Sequence, residues 1–327
     1  MKMWIGVTVL VGFMAMAAPA SATFSIVACD AQGSCGAAVA THNLAVGATV
    51  IHAQARVGAI ASQFETHPRH GLRGLALLAA GRTASATIDV LLSEDGNFDG
   101  QDQHWRQIAV VGTSGDGAAF TGRQAGASIW AGSTSGPGLS VQGNGLVGEE
   151  VTAAMRETFL RVRGALAERL MAALEAGQNA GGQKIGTMSA ALLVRTPEGE
   201  WNDVDLRVDA ASDPVLALRR LLNLRRAHDA VLLAERQQRR GKFPEARAAV
   251  AEAMRLAGDW DRVLRRIARL SMAMDDKELA LRALTAFTQL NPAWASTETR
   301  DEIYRPLFLM PAFQALPTSV ASPARGG

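Results

Sequence analysis

Thr23 is the residue whose position most invites a chemical reading. It follows Ala20-Ser21-Ala22, the A-x-A pattern of a signal-peptidase site. Cleavage there would leave Thr23 with a free α-amine. A threonine hydroxyl is a poor nucleophile alone and needs a base within hydrogen-bond reach. A terminal amine, with a reference pKa near ~7.7–8.0, is partly neutral at ordinary pH, and it sits on the same residue as the hydroxyl. Threonine paired with its own amine is a known nucleophile–base arrangement. Small polar residues also follow cleavage sites without any catalytic role, so Thr23 alone establishes no reaction.

Acyl transfer also needs donors for a developing oxyanion. Asn144, in Gly143-Asn144-Gly145, could supply one, although Asn-Gly is equally a tight-turn pair. Gln63 ends an apolar run and reads either as a binder of substrate amide or as an edge residue facing water. Asp30 could orient the amine, but its place after an apolar strand favours a turn. His42 reads as a contributor near Thr23 or as a partly buried, hydrogen-bonded histidine. Arg207, between Asp205 and Asp209, could hold a substrate carboxylate or make a strand-to-strand ion pair. His42, His67 and His70 fit no standard zinc spacing, so no metal is expected. The Gly-rich 112–117 stretch lacks the lysine of a phosphate loop. No cofactor is expected either.

Two kinds of chain must position these residues. From Thr23 to about Asp209, strand and helix signals alternate. Thr23–Cys29 reads as a buried strand and 36–41 as its hairpin partner. The runs 48–52 and 57–63 form the next pair. Helices are expected over 71–80 and 83–93, split by Gly81. A further hairpin joins 107–111 to Ala118–Thr121. Gly/Ser turns are expected over 132–148 and one long helix over 149–176, with strands 188–195 and Val204–Val208 closing the half. Hairpins with helices in separate runs indicate an α+β domain. Cys29 and Cys35 flank the first turn and could face each other as a disulfide or stand as two thiols; spacing alone does not decide.

Beyond Asp213-Pro214 the pattern becomes helical. Leu233-Ala234, Gly241, Ala246, Val250, Ala253 and Leu256 recur as Ile267-Ala268, Asp275, Ala280, Leu284, Phe287 and Leu290. The spacing is that of the 34-residue tetratricopeptide repeat, although the motif's Trp and Tyr are absent and Asp275 replaces its turn glycine. An ordinary helical bundle is the alternative. Helices at 214–225 and near 297–305 would cap the pair. The expected domains are a signal peptide (1–22), an α+β domain (23–212), a helical tetratricopeptide-like domain (213–315) and a disordered tail (316–327).

A strand that opens on Thr23, a tight hairpin and the small-residue strand that follows resemble the start of N-terminal nucleophile (Ntn) hydrolases, including proteasome β-subunits. Thr41, His42 and Asn43 match the polar end of their second strand. The proteasome-like lysine has no counterpart, because beyond Lys2 the only lysines are Lys184, Lys242 and Lys277. The chain more closely resembles the DUF1028 family, grouped with the Ntn hydrolases. The segments include Thr23-Phe24-Ser25-Ile26-Val27-Ala28, Leu44-Ala45-Val46-Gly47, Val57-Gly58-Ala59-Ile60-Ala61-Ser62-Gln63, Gln142-Gly143-Asn144 and Asp205-Leu206-Arg207-Val208-Asp209, in order across nearly all of 23–209. This resemblance implies a four-layer αββα sandwich and amide-bond hydrolysis, without naming a substrate. Some family members carry a C-terminal extension proposed to bind peptidoglycan. The family's Gly-Gly-Asp-x-Arg-Gly-x-Gln-Ser stretch here has Gln183, Ile185 and Met188 in place of Asp, Arg and Gln. If those groups bind substrate, specificity is changed or lost.

Lys2, the apolar run after it and the A-x-A site form a secretory layout. The run, about 15 residues, is shorter than a bilayer span. A periplasmic or secreted protein is expected, with no membrane contact after cleavage. The chain of 327 residues is 48% hydrophobic and carries a formal charge of +2, one less without Lys2. That balance gives no footprint for nucleic acid. The leading expectation is an exported N-terminal-threonine amidohydrolase acting on a small amide or an acylated or cell-wall peptide. Its helical region would meet a protein or peptidoglycan partner, and a homo-oligomer is left open. The alternative is a non-catalytic envelope binding protein using the same helical surface.

Overall fold

The computed structural model describes residues 22–127, 129–199 and 201–316. Positions 1–21 of the expected signal peptide and 317–327 of the expected tail lie outside the described residues. The chain forms two compact units that meet in sequence at Leu218/Arg219.

The first unit opens with β1 (Thr23–Cys29) and β2 (Cys35–Thr41). In the turn between them Asp30 Oδ1 accepts the backbone N–H groups of Gln32 at 3.0 Å and Ser34 at 2.9 Å, so Asp30 makes the turn. Cys29 and Cys35 are paired in register and joined as a disulfide. Next come β3 (Ile51–Gln54), β4 (Gly58–Phe64), α1 (His70–Ala79), α2 (Ala84–Ser93), β5 (Arg106–Gly112) and β6 (Ala118–Thr121). The unit continues with α3 (Arg123–Gly126), β7 (Ala131–Gly136), β8 (Leu139–Asn144), α4 (Glu150–Arg161), α5 (Leu166–Asn179), β9 (Ser189–Arg195) and β10 (Val204–Val208).

The strands form two antiparallel sheets, ordered β10-β9-β2-β1-β8-β7 and β3-β4-β5-β6. Period-two alternation divides their side chains. Ala59, Ala61, Ala109 and Val111 of the smaller sheet share one core with Val27, Ala37, Val39 and Ala191 of the larger. Ile60, Ile108 and Val110 turn the other way, onto Leu75, Leu78, Ile88 and Leu91 of α1 and α2. On the larger sheet α5 lies against β1 and β2. There a Cβ on Gly177 would meet Met155 and Phe24, and one on Gly36 would meet Leu170.

Three expectations for the first unit are corrected. The Gly/Ser-rich 132–148 stretch holds strands β7 and β8, not only turns. β8 pairs with β1 over six residues and is buried throughout, so tertiary pairing overrides weak strand propensity. The single helix expected over 149–176 is two helices, broken at Gly164, whose φ of +113° suits glycine. The strand expected over 48–52 begins only at Ile51, because Val46–Ala48 forms a 3-10 turn.

α6 (Pro214–Arg239) is one helix of 26 residues rather than a short cap over 214–225. The second unit continues with α7 (Phe243–Leu256), α8 (Asp261–Ala273), α9 (Lys277–Leu290), α10 (Pro292–Glu298) and α11 (Pro311–Gln314), with a 3-10 helix at Glu302–Leu307. Ala234, Ala246, Val250, Ala268, Ala280, Leu284 and Phe287 share its core. Gly241 and Asp275, 34 positions apart, both have left-handed φ, +72° and +58°. Buried Glu298 accepts from Arg265 and Arg269 at 2.5 Å each and from Tyr304 at 2.9 Å. Burial raises its proton affinity, but these donors outweigh burial and hold it below the usual range. Among the described residues no helix is long and apolar enough to cross a membrane.

Candidate active site

Strand register brings four polar residues into one row. Thr23 opens β1 and pairs with Asn144 of β8 on one side and Thr41 of β2 on the other. Thr41 in turn pairs with Ser189 of β9. Directly paired residues project on the same face of a sheet, so Asn144, Thr23, Thr41 and Ser189 form a row across four strands. All four are buried, Thr23 with 3% of its surface exposed.

The hydroxyl directions in this row follow from simple accounting. Thr41 Oγ1 donates to the carbonyl of Ala22 at 2.7 Å, which uses its one hydrogen. The 3.0 Å contact between the Thr23 and Thr41 hydroxyls therefore has Thr23 as donor. Ser189 Oγ donates to the Asn43 carbonyl at 2.6 Å and accepts the Val46 N–H at 3.1 Å. That pins the turn after β2 to β9.

Side chains from the facing sheet complete the site. Gln107 Nε2 donates to the Gly143 carbonyl at 2.9 Å and to Thr121 at 3.1 Å. A carbonyl can only accept, so the Gln107 amide is oriented with Oε1 as acceptor. Gln63 Nε2 and Asn144 Nδ2 both donate to that Oε1 at 2.8 Å. Gln63 Nε2 also reaches the Thr23 carbonyl at 3.2 Å, and Gln63 Oε1 accepts from Ser25 at 2.7 Å. Gln142 Nε2 donates to the Ala61 carbonyl at 3.0 Å. Asn144 Oδ1 and Gln142 Oε1 are buried without a partner. Every side chain of this network is uncharged, and none of them is a general base.

The segment 183–188 spans the head of β1. Lys184 N donates to the Gly145 carbonyl at 3.3 Å and Met188 N to the Thr41 carbonyl at 2.7 Å. These are the ends of the two strands that flank Thr23. Gly145 has φ +61°, and a Cβ there would lie 2.5 Å from Ala22 Cβ. Only glycine suits that conformation and that close approach. The residue before Thr23 is thus tightly enclosed.

Of the residues singled out in the sequence, the structure brings together Thr23, Thr41, Asn144 and Gln63, with Asn43 beside them. Gln63 is fully buried rather than an edge residue facing water, and Asn144 closes a strand rather than serving as a hairpin turn. His42 is exposed, not partly buried. Arg207 does not join the row. It binds Asp209, two residues on in its own chain, with contacts of 3.0–3.1 Å. With Arg195, Asp205 and His52 it lines a separate cleft of about 280 Å3. Sequence reasoning missed Ser25, Gln107, Gln142 and Ser189. The period-two placement of Ser25 and Gln142 on apolar strands was the available signal.

A second buried polar group lies beneath α1. His70 Nδ1 meets Ser62 Oγ at 3.2 Å, and Asp95 binds Arg106 Nε at 2.8 Å. His70 Nε2 stands 3.7 Å from Asp95, too far for a hydrogen bond, so no Ser-His-Asp relay is made. Burial first, then His67 and Arg106, push His70 down to about 4 against the pull of Asp95. His67, His70 and Asp95 offer ligand atoms within 4.8 Å of one another. They fit a metal poorly. Arg106 already holds the carboxylate, and His67 Nδ1 accepts the Arg69 N–H at 3.1 Å, which leaves the proton on its other nitrogen.

Residues 23–218 match a family described as one of unknown function, DUF1028. No curated protein matches. A crystal structure of a Silicibacter pomeroyi protein assigned to the same family is 34% identical, with a TM-score of 0.55, over 62% of this chain and 85% of that one. With the match spanning more than half of its length, the chain belongs to the DUF1028 family.

Proposed function

We propose that the protein is an exported amidohydrolase of the N-terminal nucleophile type, with Thr23 as nucleophile. One observation carries this reading. Thr23 heads a buried strand in a row of hydroxyls and amides that includes no base. Processing between Ala22 and Thr23 would place an α-amine of suitable pKa beside the hydroxyl. The amine takes the Oγ proton as Oγ attacks the substrate carbonyl. The C–N bond breaks, the leaving amine takes that proton, and water hydrolyses the resulting ester. Asn144 Nδ2 keeps one hydrogen beyond its bond to Gln107 and, with nearby backbone amides, is the candidate donor to the oxyanion.

The order of layers, with α1 and α2 outside the four-stranded sheet and α5 outside the six-stranded one, supports a four-layer αββα sandwich of the Ntn type. The 34-residue spacing and the matched left-handed residues Gly241 and Asp275 support two tetratricopeptide-type repeats. Those repeats would meet a protein or peptidoglycan in the periplasm or outside the cell.

The test compares the secreted wild-type protein with Thr23→Ala on a panel of N-acyl anilides. Hydrolysis by wild type and none by the variant is expected; equal hydrolysis by both ends this mechanism. A second reading, a non-catalytic envelope binding protein, draws on the burial of Thr23 and the enclosure of Ala22 against Gly145. A chain left uncleaved would present no accessible nucleophile, and its N-terminus would then lie ahead of Thr23.

A further inference from the structure

The two sheets do not end together. β3 is an edge strand of the four-stranded sheet and lies against β2 and β9, so the six-stranded sheet runs on beyond it to β10. At that margin opens the cleft of about 280 Å3. Ala191 and Leu193 of β9 belong to the core shared by the two sheets. Asp205 pairs with Leu193 and Arg207 with Ala191, so both project on that same inner face. Arg195, two residues beyond Leu193, shares it. The inner face thus turns from apolar to charged at its margin. This cleft is separate from the Thr23 row. Arg207, Ala191, Val39 and Ser25 are paired in turn across four strands, and three strand spacings amount to about 14 Å.

Ile51 and Ala53 of β3, Leu72 of α1 and Leu193 give the cleft apolar lining, and Arg195, Asp205 and Arg207 give it charge. Leu72 is 71% exposed. The three charged side chains are 34%, 54% and 37% exposed, and two of them keep capacity for a ligand. Arg195 Nη2 donates to Asp205 Oδ2 at 2.8 Å, a bond that leaves Asp205 Oδ1 out. Arg207 binds Asp209 through Nε and Nη2, which leaves its Nη1 out of that pair. Ion pairs this open to water contribute about 0–1 kcal/mol, so loosening one to admit a ligand costs little. Burial lowers His52, also in the lining, below its ordinary 6.5, so it adds no charge at pH 7. Asp203, 3.7 Å from Arg195 Nη1, and Asp209 stand outside the lining. With them two cations face three anions, so no net positive field draws a simple anion. A lone cation meets two arginines. A ligand bearing both charges is complementary to Asp205 and Arg207 together.

We propose that this cleft binds a free α-amino acid with an aliphatic side chain. Asp205 Oδ1 accepts from its ammonium, Arg207 Nη1 donates to its carboxylate, and its side chain covers Ile51, Ala53 and Leu72. Asp205 and Arg207 are two residues apart on one strand, about 7 Å between Cα atoms, so their side chains can converge on the two charges of one α-carbon. The stem of Arg207 is held in place: a Cβ on Gly47 would lie 2.5 Å from Ala191 Cβ and 2.9 Å from Arg207 Cγ. The cleft falls just below the usual range for drug-sized ligands, roughly 300–1,000 Å3, which suits a single amino acid. None of this uses Thr23, so the site stands or falls independently of the proposed nucleophile.

The test is calorimetric titration of the secreted full chain with leucine, N-acetyl-leucine, leucinamide and glycine. Leucine should bind at least about tenfold more tightly than either derivative lacking one charge, and at least about tenfold more tightly than glycine. In Asp205→Asn the preference for leucine over N-acetyl-leucine should collapse to about one, because the ammonium has lost its partner. In Arg207→Gln the preference for leucine over leucinamide should collapse likewise. A collapsed ratio, unlike a general loss of binding, separates a missing charge contact from a damaged fold. No binding at about 10 mM leucine overturns the proposal. Equal binding of N-acetyl-leucine or leucinamide by the wild-type protein makes this a single-charge site and overturns it too, as does glycine binding as tightly as leucine. A ratio unchanged in either variant removes that residue from the site and overturns the proposal as stated.

Discussion

Asn144 Nδ2 donates to Gln107 Oε1 at 2.8 Å, and the direction of that bond is dictated from the Gly143 carbonyl, which can only accept from Gln107 Nε2. One glutamine from the four-stranded sheet thus orients the Asn144 carboxamide beside Thr23 in the six-stranded sheet. Gln63 is oriented by the same oxygen.

Gln107→Leu would leave the side-chain donors of Gln63 and Asn144 without their shared acceptor, and the Gly143 carbonyl without its side-chain donor. A buried polar group left unsatisfied costs about 1–3 kcal/mol, so a loss of about 2–4 kcal/mol is expected from urea unfolding. A midpoint unchanged from wild type would show that water replaces the network without penalty.

Thr41→Val keeps the shape of the β2 end and removes the hydroxyl that is hydrogen-bonded to the Thr23 hydroxyl. A stability loss of about 1 kcal/mol is expected. Anilide hydrolysis should slow by about tenfold or more as the Thr23 hydroxyl loses orientation. Unchanged hydrolysis would take Thr41 out of the positioning of Thr23.

The His70 cluster gives a pH dependence of defined sign. Burial lowers this histidine from 6.5 in the unfolded chain to about 4 in the fold. Above pH 6.5 it is neutral in both states and its contribution is constant. As pH falls from 6.5 towards 4, the unfolded chain gains a proton that the folded chain does not, and stability falls by up to about 3 kcal/mol. Below about 4 this loss levels off. His52, also lowered by burial, acts in the same direction. Thermal unfolding at stepped pH should therefore show a falling Tm over this window, with a shallower fall in His70→Gln. Identical slopes in the two proteins would contradict the assignment.

Much of this arrangement was legible in the sequence, and the missing parts share a cause. Apolar runs bounded by turn residues located β1, β2, β9 and β10, with Thr23 at the head of β1. Asp30 sits in its turn and the two cysteines are bonded. Strand β8 was hidden because Gly143 and Ser140 are poor strand formers. What stabilises them is pairing with β1 and β7, which no local pattern encodes. Gln107 was hidden for a related reason: its partners Gln63, Thr121 and Asn144 lie 44, 14 and 37 residues away in the chain. Arg207 makes an ion pair, but with Asp209 two residues on rather than across to another strand.

The disulfide between Cys29 and Cys35 closes a short loop at the far end of β1 from Thr23. The loop-closure relation gives about 2 kcal/mol for a ring of this size. The Cys29→Ala/Cys35→Ala variant should lose about that much in guanidinium unfolding while Thr23 keeps its reactivity. A collapse of both would mean that the hairpin controls the head of the strand as well as its tail.

The most direct test of the central claim is the N-terminal peptide of the exported protein, measured by mass spectrometry. A peptide beginning at Thr23 with an unmodified α-amine is expected, because that amine is the proposed base. A chain that begins elsewhere, or a Thr23 whose amine is blocked, would contradict Thr23 as the nucleophile.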